Sequence, residues 1–458
     1  MATKRPRSPG QALIPNPFIK KRNLEWALNV PEDAAQATHR QAADDSDDDD
    51  AAQPPPPTAA AIESGSATIA NHAAHFSAVL AGAALDPWPR GAPRLPTAAF
   101  AALYASCLGA PSGAHFVVHQ HDHPVAGTHY DLRLQINGAS SASWAVMYGL
   151  PGDAGSARLG RNATETRVHC LWNHLVETAS RATGSLLVWD TGTYEVLGRR
   201  SKSAPEVDPE SERSEDEAEA EDGRTEQEKL RDAFAERKIR VRLHGARLPR
   251  GYTLNLRLTK EEDREGREKA SRSASRAAPQ RRRRRMVQKQ DVIVETSEEA
   301  DSSSSEKEEE EELDDAVLEA KEEVPEEESN PLAGPANMSQ AMRQEIEELE
   351  DAQVRATNAY PGAENTIGSV HQRRWYLSMD RAASGFVKKR RRGGTKKLRW
   401  ELEDEQTPGE DGRLTYPFHV RGPEVERSLI TGRLGSDVLR DEGVVDFVGR
   451  KGWRPVLR

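Results

Sequence analysis

The sequence predicts a mainly β protein with flanking helices and long disordered stretches, and three features point to it. Residues 114–200 alternate apolar and polar side chains between Gly, Pro and Asn turns, the period-2 signature of half-buried strands. One Ala-rich segment, 96–109, has helical character. Between and beyond these lie blocks of like charge, which repel one another and stay solvated.

The candidate strands are 115–121, 129–136, 142–147 and 185–190, separated by turns such as Asn137-Gly138 and Leu150-Pro151-Gly152. In the helical segment, Pro96 and Thr97 stand at the start and Gly109 at the end, as helix boundaries require. Phe100, Leu103 and Leu108 supply its apolar face. His169–Glu177 reads equally well as a strand or a short helix. Residues 238–245 and 251–258 read as two further strands around a turn at Arg247–Arg250, and Trp375–Asp380 as another. A polar helix is expected within 338–357, and the Val/Leu-rich C-terminus, Tyr416–Arg458, reads as ordered.

Composition bounds how much of the chain can fold. Its 458 residues are enough for more than one domain. However, 30% are charged and only 5% aromatic, and mean hydropathy is −0.78. So little apolar surface cannot offset the entropy of ordering the whole chain. One modest domain assembled from separated segments is expected. Two cysteines, Cys107 and Cys170, exclude a disulfide framework and a cysteine-based zinc site. No apolar run reaches the ~18 residues of a membrane span, and MATKRPRSPGQ lacks the apolar stretch of a secretory signal. The expectation is a soluble intracellular protein without a membrane partner. The net charge of −11 averages blocks of both signs: Arg281–Arg285, the acidic 295–328 tract, and 373–399 with eleven Lys/Arg against one Asp. The basic runs suit a nucleic-acid backbone or a nuclear import signal, so the nucleus is the expected location, the cytoplasm otherwise.

Seven of the thirteen histidines fall between His115 and His174. Side chains at i, i+2 and i+4 of a strand share one face. His119 and His121 therefore point one way, and so do His129, Asp131 and Arg133. A hairpin closing over Asp122–Thr128 brings the two faces together. Imidazoles plus one carboxylate suit manganese or zinc and leave positions open for water and substrate. An adjacent guanidinium grips a phosphate bidentately and stabilises charge that grows in the transition state. His115 and His123 are assigned no specific role.

Phe116-Val117-Val118-His119-Gln120-His121, then His129-Tyr130-Asp131-Leu132-Arg133-Leu134, then Ser143-Trp144-Ala145-Val146 and Leu187-Val188-Trp189-Asp190 follow in order. This series resembles the 3′-phosphoesterase domain of bacterial DNA ligase D, which also occurs as free-standing proteins. The resemblance resumes at Arg242–Gly245 with Tyr252–Leu258, and at Trp375–Ser378 as a closing strand. It implies a closed β-barrel that uses manganese to remove 3′-phosphates and 3′-terminal ribonucleotides from DNA ends. It carries the metal ligands onto His121, His129 and Asp131, and the phosphate-contacting arginine onto Arg133. A second arginine falls on Arg158, with Arg161 as rival, and a catalytic histidine on His174, with His169 as rival. His119, where the family often has Gln, is a further candidate for the phosphate or the metal. Two departures stand out. The family's Pro-Glu-Gly loop is shortened here to Ala179–Gly184, and Lys20–Asn23 only weakly matches its N-terminal KRD element.

The resulting division is a basic N-terminal motif (1–28), a mostly disordered linker (29–95), the phosphoesterase-like core (96–260), a charged insertion (261–370), and a closing strand with basic segment and C-terminal element (371–458). Loop-closure cost grows only logarithmically with length, so such an insertion is tolerable. The expected function is metal-dependent trimming of DNA or RNA–DNA 3′ ends, with a ligase or repair polymerase as partner. Two alternatives stand beside it: a catalytically inactive nucleic-acid adaptor, and a cupin-like metal oxygenase. The oxygenase reading gives Arg133 no role, and the downstream Glu spacing it needs is absent.

Overall fold

A computed structural model describes residues 58–63, 67–198, 223–277, 352–390, 398–403 and 412–457. The basic N-terminal motif, the Arg281–Arg285 run, the acidic tract and residues 338–351 lie outside the described residues.

Alternation along the chain produces the barrel. The strands are β1 (His115–His123), β2 (Gly127–Gln135), β3 (Ser140–Met147), β4 (Arg161–Glu165), β5 (His169–Cys170), β6 (Thr178–Ser180), β7 (Gly184–Val196), β8 (Lys238–Gly245), β9 (Thr253–Arg257) and β10 (Arg374–Met379). They pair antiparallel in the order β1-β2-β3-β4-β10-β9-β8-β7, and β7 returns to β1 and closes the ring. Closure leaves this sheet no free edge between its first and last strands. The Trp375 strand slots between β4 and β9. β5 hangs from β3, and β6 from β7.

One face of each strand fills the lumen: Phe116, Val118, Tyr130, Leu132, Trp144, Val146, Trp189, Leu254 and Trp375 belong to one buried cluster. Val117, Leu186 and Val188 point outward into a second cluster. That outer face is covered by Phe76 and Leu80 of α2 (His72–Ala83), by Phe100 and Tyr104 of α3 (Thr97–Cys107), by Leu171 and Leu175, and by Leu429 and Ile430 near the C-terminus. α1 is the short Ala59–Glu63 turn of helix. Residues 72–83 are thus helical within the span expected to be linker. In α3 the buried stripe is Phe100, Tyr104 and Cys107. Leu108, expected on the apolar face, is 47% exposed because the helix ends at Cys107. His169–Glu177 contains both expected forms, a two-residue strand and a 3₁₀ turn at Leu171–Leu175.

A bulge between Val118 and His119 shifts the β1–β7 register, so that Val118 faces Asp190 and His119 faces Val188. Two polar anchors hold this region. The buried Asp190 carboxylate accepts the backbone N–H groups of Thr191, Ala246, Arg247 and Leu248 at 2.7–3.0 Å. A Cβ on Gly245 would overlap that carboxylate, so glycine is required there. Glu177 accepts the Val188 N–H at 3.1 Å, the Thr431 hydroxyl at 2.7 Å, Arg433 at 3.0 Å and the Ser428 hydroxyl. It thereby pins the C-terminal segment onto the barrel. The described ends of the expected insertion also pack on the core. α5 (Lys260–Ala277) follows α4 (Glu226–Ala235) and β9 in the chain, and α6 is Ala352–Thr357. Arg373 binds buried Glu165 at 2.8 Å and also reaches Asp263 of α5. A last hairpin, β11 (Phe386–Arg390) with β12 (Leu398–Leu402), includes Lys388, Lys389 and Arg390 of the basic segment; residues 391–397 lie outside the described residues.

Glu177 is fully buried opposite the 5%-exposed Arg433. Removing one partner of such a pair leaves an uncompensated charge in the interior, which costs about 3–5 kcal/mol. Glu177→Ala is therefore expected to lower the urea midpoint by an amount corresponding to that loss. An unchanged midpoint would show that the C-terminal segment is held by its apolar contacts alone.

Candidate metal centre and phosphate site

The β1–β2 register sets His121 opposite His129, His119 opposite Asp131, and Val117 opposite Arg133. Directly opposed side chains share a face. By the parity of Val117 this is the outer face, so the site lies on the barrel wall rather than in its lumen.

His121, His129 and Asp131 each offer a ligand atom, all within 4.8 Å of one another. Nδ1 of His121 is 3.5 Å from Asp131 Oδ2, and Nε2 of His129 is 3.3 Å from Oδ1. The second nitrogen of each ring meets a backbone carbonyl: His121 Nε2 and Thr183 O are 2.8 Å apart, His129 Nδ1 and Gly127 O 2.9 Å. A carbonyl can only accept, so those nitrogens carry the protons of the neutral rings. The remaining lone pairs of both rings then face one carboxylate. Such an arrangement repels itself unless a proton or a cation lies between, and a histidine tied by its far N–H to a carbonyl is the usual support of a metal ligand. The donor set thus fits a divalent cation. Burial works against charging His129, but Asp131 outweighs it and raises the imidazole pKa. Burial likewise opposes charge on Asp131, yet His129, His121 and Arg133 together hold its pKa well below the usual carboxylate range. His121, 19% exposed, opens the triad to solvent.

The short turn before β7 contributes directly. Gly184 adopts φ 73°, in the left-handed region that favours glycine. Any Cβ there would collide with the Asp122 carbonyl. Thr183, whose carbonyl meets His121, immediately precedes it. This short turn therefore supports the ring of His121, one of the three candidate ligands.

Arg133 lies beside the triad, 3% exposed, with Nη2 3.4 Å from Asp131 Oδ2 and Nη1 donating to Asn173 Oδ1. Among the described residues its Nε has no hydrogen-bond partner. His119 is completely buried, and neither ring nitrogen has a partner among the described residues. Burial, then Arg133, pushes its pKa well below the ordinary value. His174 is equally buried and depressed by burial, with His115, Arg133, His119 and His169 as its electrostatic neighbours. His169 also influences His119, and its ring lies 4.8 Å from Tyr360. Both candidate histidines therefore border the same place, which is lined by Arg133 and His119.

The two candidate arginines stand elsewhere. Arg161 has the parity of Ala163 and Glu165, whose side chains face inward. Its guanidinium donates to the carbonyls of Gly149 (3.2 Å), Gly160 (3.1 Å) and Arg158. It closes the barrel rim on the opposite side of the wall from the triad. Arg158 is exposed on the loop after β3, and none of its described contacts reaches the triad. Two residues given no role do have one. His123 Nδ1 accepts the N–H groups of Val125 and Ala126 at 3.1 and 3.0 Å, bracing the β1–β2 turn. Its pKa is pushed down to about 3 by burial and by His121 and His129. His115 contacts His174 at 2.7 Å. Asn173, absent from the sequence reading, anchors Arg133. Its only signal was its place beside His174.

Residues 119–256 match the family model of the DNA ligase D 3′-phosphoesterase domain. The match spans the triad, Arg133, His169, His174 and the chain through β8 into β9. No curated protein matches the chain. Among the described residues, no helix is long and apolar enough to cross a membrane.

A fitted site should bind metal without substrate. Titration with Mn²⁺ is expected to give a single site, and at one hundred times Kd to stabilise the fold by about 2.7 kcal/mol. EDTA should reverse the gain, and Asp131→Ala should abolish it. Equal stabilisation of that variant would move the metal elsewhere.

Proposed function

We propose that this chain, whose residues 119–256 belong to the DNA ligase D 3′-phosphoesterase domain family, is a metal-dependent phosphoesterase. Its proposed substrates are 3′-phosphate and 3′-ribonucleotide ends of DNA. The observation carrying this reading is the convergence, on one wall of the barrel, of a His-His-Asp triad with a buried arginine and with buried ring nitrogens of His119 and His174 that have no partner among the described residues. Manganese is the metal proposed, with zinc or another divalent ion as the alternative the donor set allows.

His121, His129 and Asp131 would hold the cation, which when bound supplies positive charge to polarise a phosphoryl oxygen and favours ionisation of water. Arg133 is already fixed by Asp131 and Asn173, so it meets the terminal phosphate without losing side-chain freedom at that moment. Its Nε and the single N–H of the neutral His119 ring are the donors available for phosphate oxygens. His174, with His169 beside it, faces the reacting group. The family favours this reading over an oxygenase, in which Arg133 would be idle.

Beyond the family span, the C-terminal segment crosses the β1–β2 turn. Arg450 donates to Val125 O at 3.0 Å, and Lys451 and Arg454 are exposed beside it. We assign these two cations to the strand leading to the 3′ end. The basic runs make the nucleus the proposed location, and a ligase or polymerase that uses the cleaned end the proposed partner.

The decisive assay measures phosphate release from a 3′-phosphorylated oligonucleotide with and without Mn²⁺. Asp131→Ala should abolish release, and Arg133→Ala should lower kcat/KM by about 10²–10³-fold, as loss of a preorganised donor does. Binding without turnover under any divalent metal would favour the adaptor alternative. In the double variant Lys451→Ala/Arg454→Ala, KM should rise with kcat retained. The log–log salt slope should fall by about 0.7 per lost contact to a single strand. An unchanged slope would remove the C-terminal segment from the binding surface.

A further inference from the structure

The residue that orients His174 is another histidine. His174 and His115 meet Nδ1 to Nδ1 at 2.7 Å, both rings fully buried. One nitrogen must donate and the other accept, and the neighbours decide which. The Thr191 hydroxyl has one proton and donates it to the Phe116 carbonyl at 2.9 Å. Its oxygen lies 3.4 Å from His115 Nε2, so it can only accept there, and His115 Nε2 carries a proton. His115 is packed beneath Phe100 and Tyr104 of α3, and burial holds it neutral, its pKa pushed down to about 3. A neutral ring protonated at Nε2 has a bare Nδ1. The short contact therefore runs from His174 Nδ1–H to His115 Nδ1. The lone pair of neutral His174 is then on Nε2, which is buried and has no partner among the described residues.

We propose that His115 is a positioning residue for His174. Through the chain Phe116 carbonyl–Thr191 hydroxyl–His115–His174, it selects the tautomer that presents a bare Nε2 to the phosphate site. The tautomer of a histidine is set by the bond its other nitrogen makes. A carboxylate in this place would also stabilise the imidazolium, whereas a neutral imidazole partner adds no negative charge. His174 therefore meets its ligand as a hydrogen-bond acceptor, suited to a water or sugar hydroxyl rather than to a phosphate oxygen. Phosphate oxygens are left to Arg133 and His119. The catalytic consequence rests on the phosphoesterase reading; the tautomer itself does not.

The test separates the two. In the full chain with ¹⁵N-labelled imidazoles and no substrate, two-bond ¹H–¹⁵N spectra are expected to show His174 protonated at Nδ1 and His115 at Nε2. Assignments come from the spectra of His115→Phe and His174→Gln. His174 protonated at Nε2 in the wild-type chain would overturn the proposal whatever the activity. In phosphate-release assays, His115→Phe should lower kcat by about 10–100-fold, as loss of an orienting partner does, with KM and Mn²⁺ affinity unchanged. His115→Gln, whose amide oxygen can accept from Nδ1, should recover part of that loss. Wild-type kcat in a folded His115→Phe protein would sink the positioning role. If that variant does not fold, the wild-type spectrum and His115→Gln decide. Absence of phosphate release from the wild-type chain would count against the phosphoesterase reading alone.

Discussion

The pairing of β1 with β2 is the constraint on which the site depends. It places His121 against His129 and His119 against Asp131. Strand side chains alternate with period two, so a slip of one residue would turn every one of these groups into the lumen among Phe116, Tyr130 and Leu132. Both faces resist such a slip. Inside, the aromatic filling of the barrel would be replaced by charge. Outside, Val117 would leave the cluster that α2, α3 and the C-terminal segment cover. The ring itself adds a third restraint, because β1 pairs with β2 on one side and β7 on the other.

Covering an outer wall with helices buries polar groups that water would otherwise satisfy, and unpaired buried groups are costly. Glu177 and Asp190 each answer this by collecting several donors from separate parts of the chain, and inside the barrel Glu165 does the same. The contrast lies at the site. His119, the Nε of Arg133 and Nε2 of His174 are buried together, without partners among the described residues. Other buried polar atoms also lack partners among the described residues, Trp144 Nε1 among them, but here three such groups are neighbours, and such a cluster suits a place where a ligand completes the bonding.

β2 was legible in the sequence because His129, Asp131 and Arg133 alternate strictly with Tyr130, Leu132 and Leu134, and HxDxR fixes which side chains share a face whatever the rest of the fold does. The ring order was not legible from that pattern. β4, with the sequence Arg-Asn-Ala-Thr-Glu, escaped notice because its inward residues include Arg161 and Glu165, which carry no apolar period. For the same reason the side of the wall taken by Arg161 could not be read. It depends on the length of the loop after β3, which carries the chain round the rim. Asn173 and His115 were invisible for a different reason: their partners lie 40 and 59 residues away, and distant hydrogen bonds leave no local signature. The part played by Thr183 is of the same kind. The sequence showed only that the turn was short.

The histidines of this wall fall into two electrostatic classes, and the difference bears on how such a site can work. Those of the triad face a carboxylate, and His129 is biased toward charge by it. His115, His119 and His174 face no carboxylate closely enough to offset burial and are held neutral. Arg133 stands between the two, sharing Asp131 with the triad and Asn173 with the His174 turn. A cation and a phosphate both need nearby opposite charge, yet a phosphate must also leave. Were every imidazole on this wall charged, the buried positive potential would bind the product ion as firmly as the ester. Neutral rings supply hydrogen-bond direction without adding net charge, so the pull on a phosphate comes from Arg133 and whatever the triad holds.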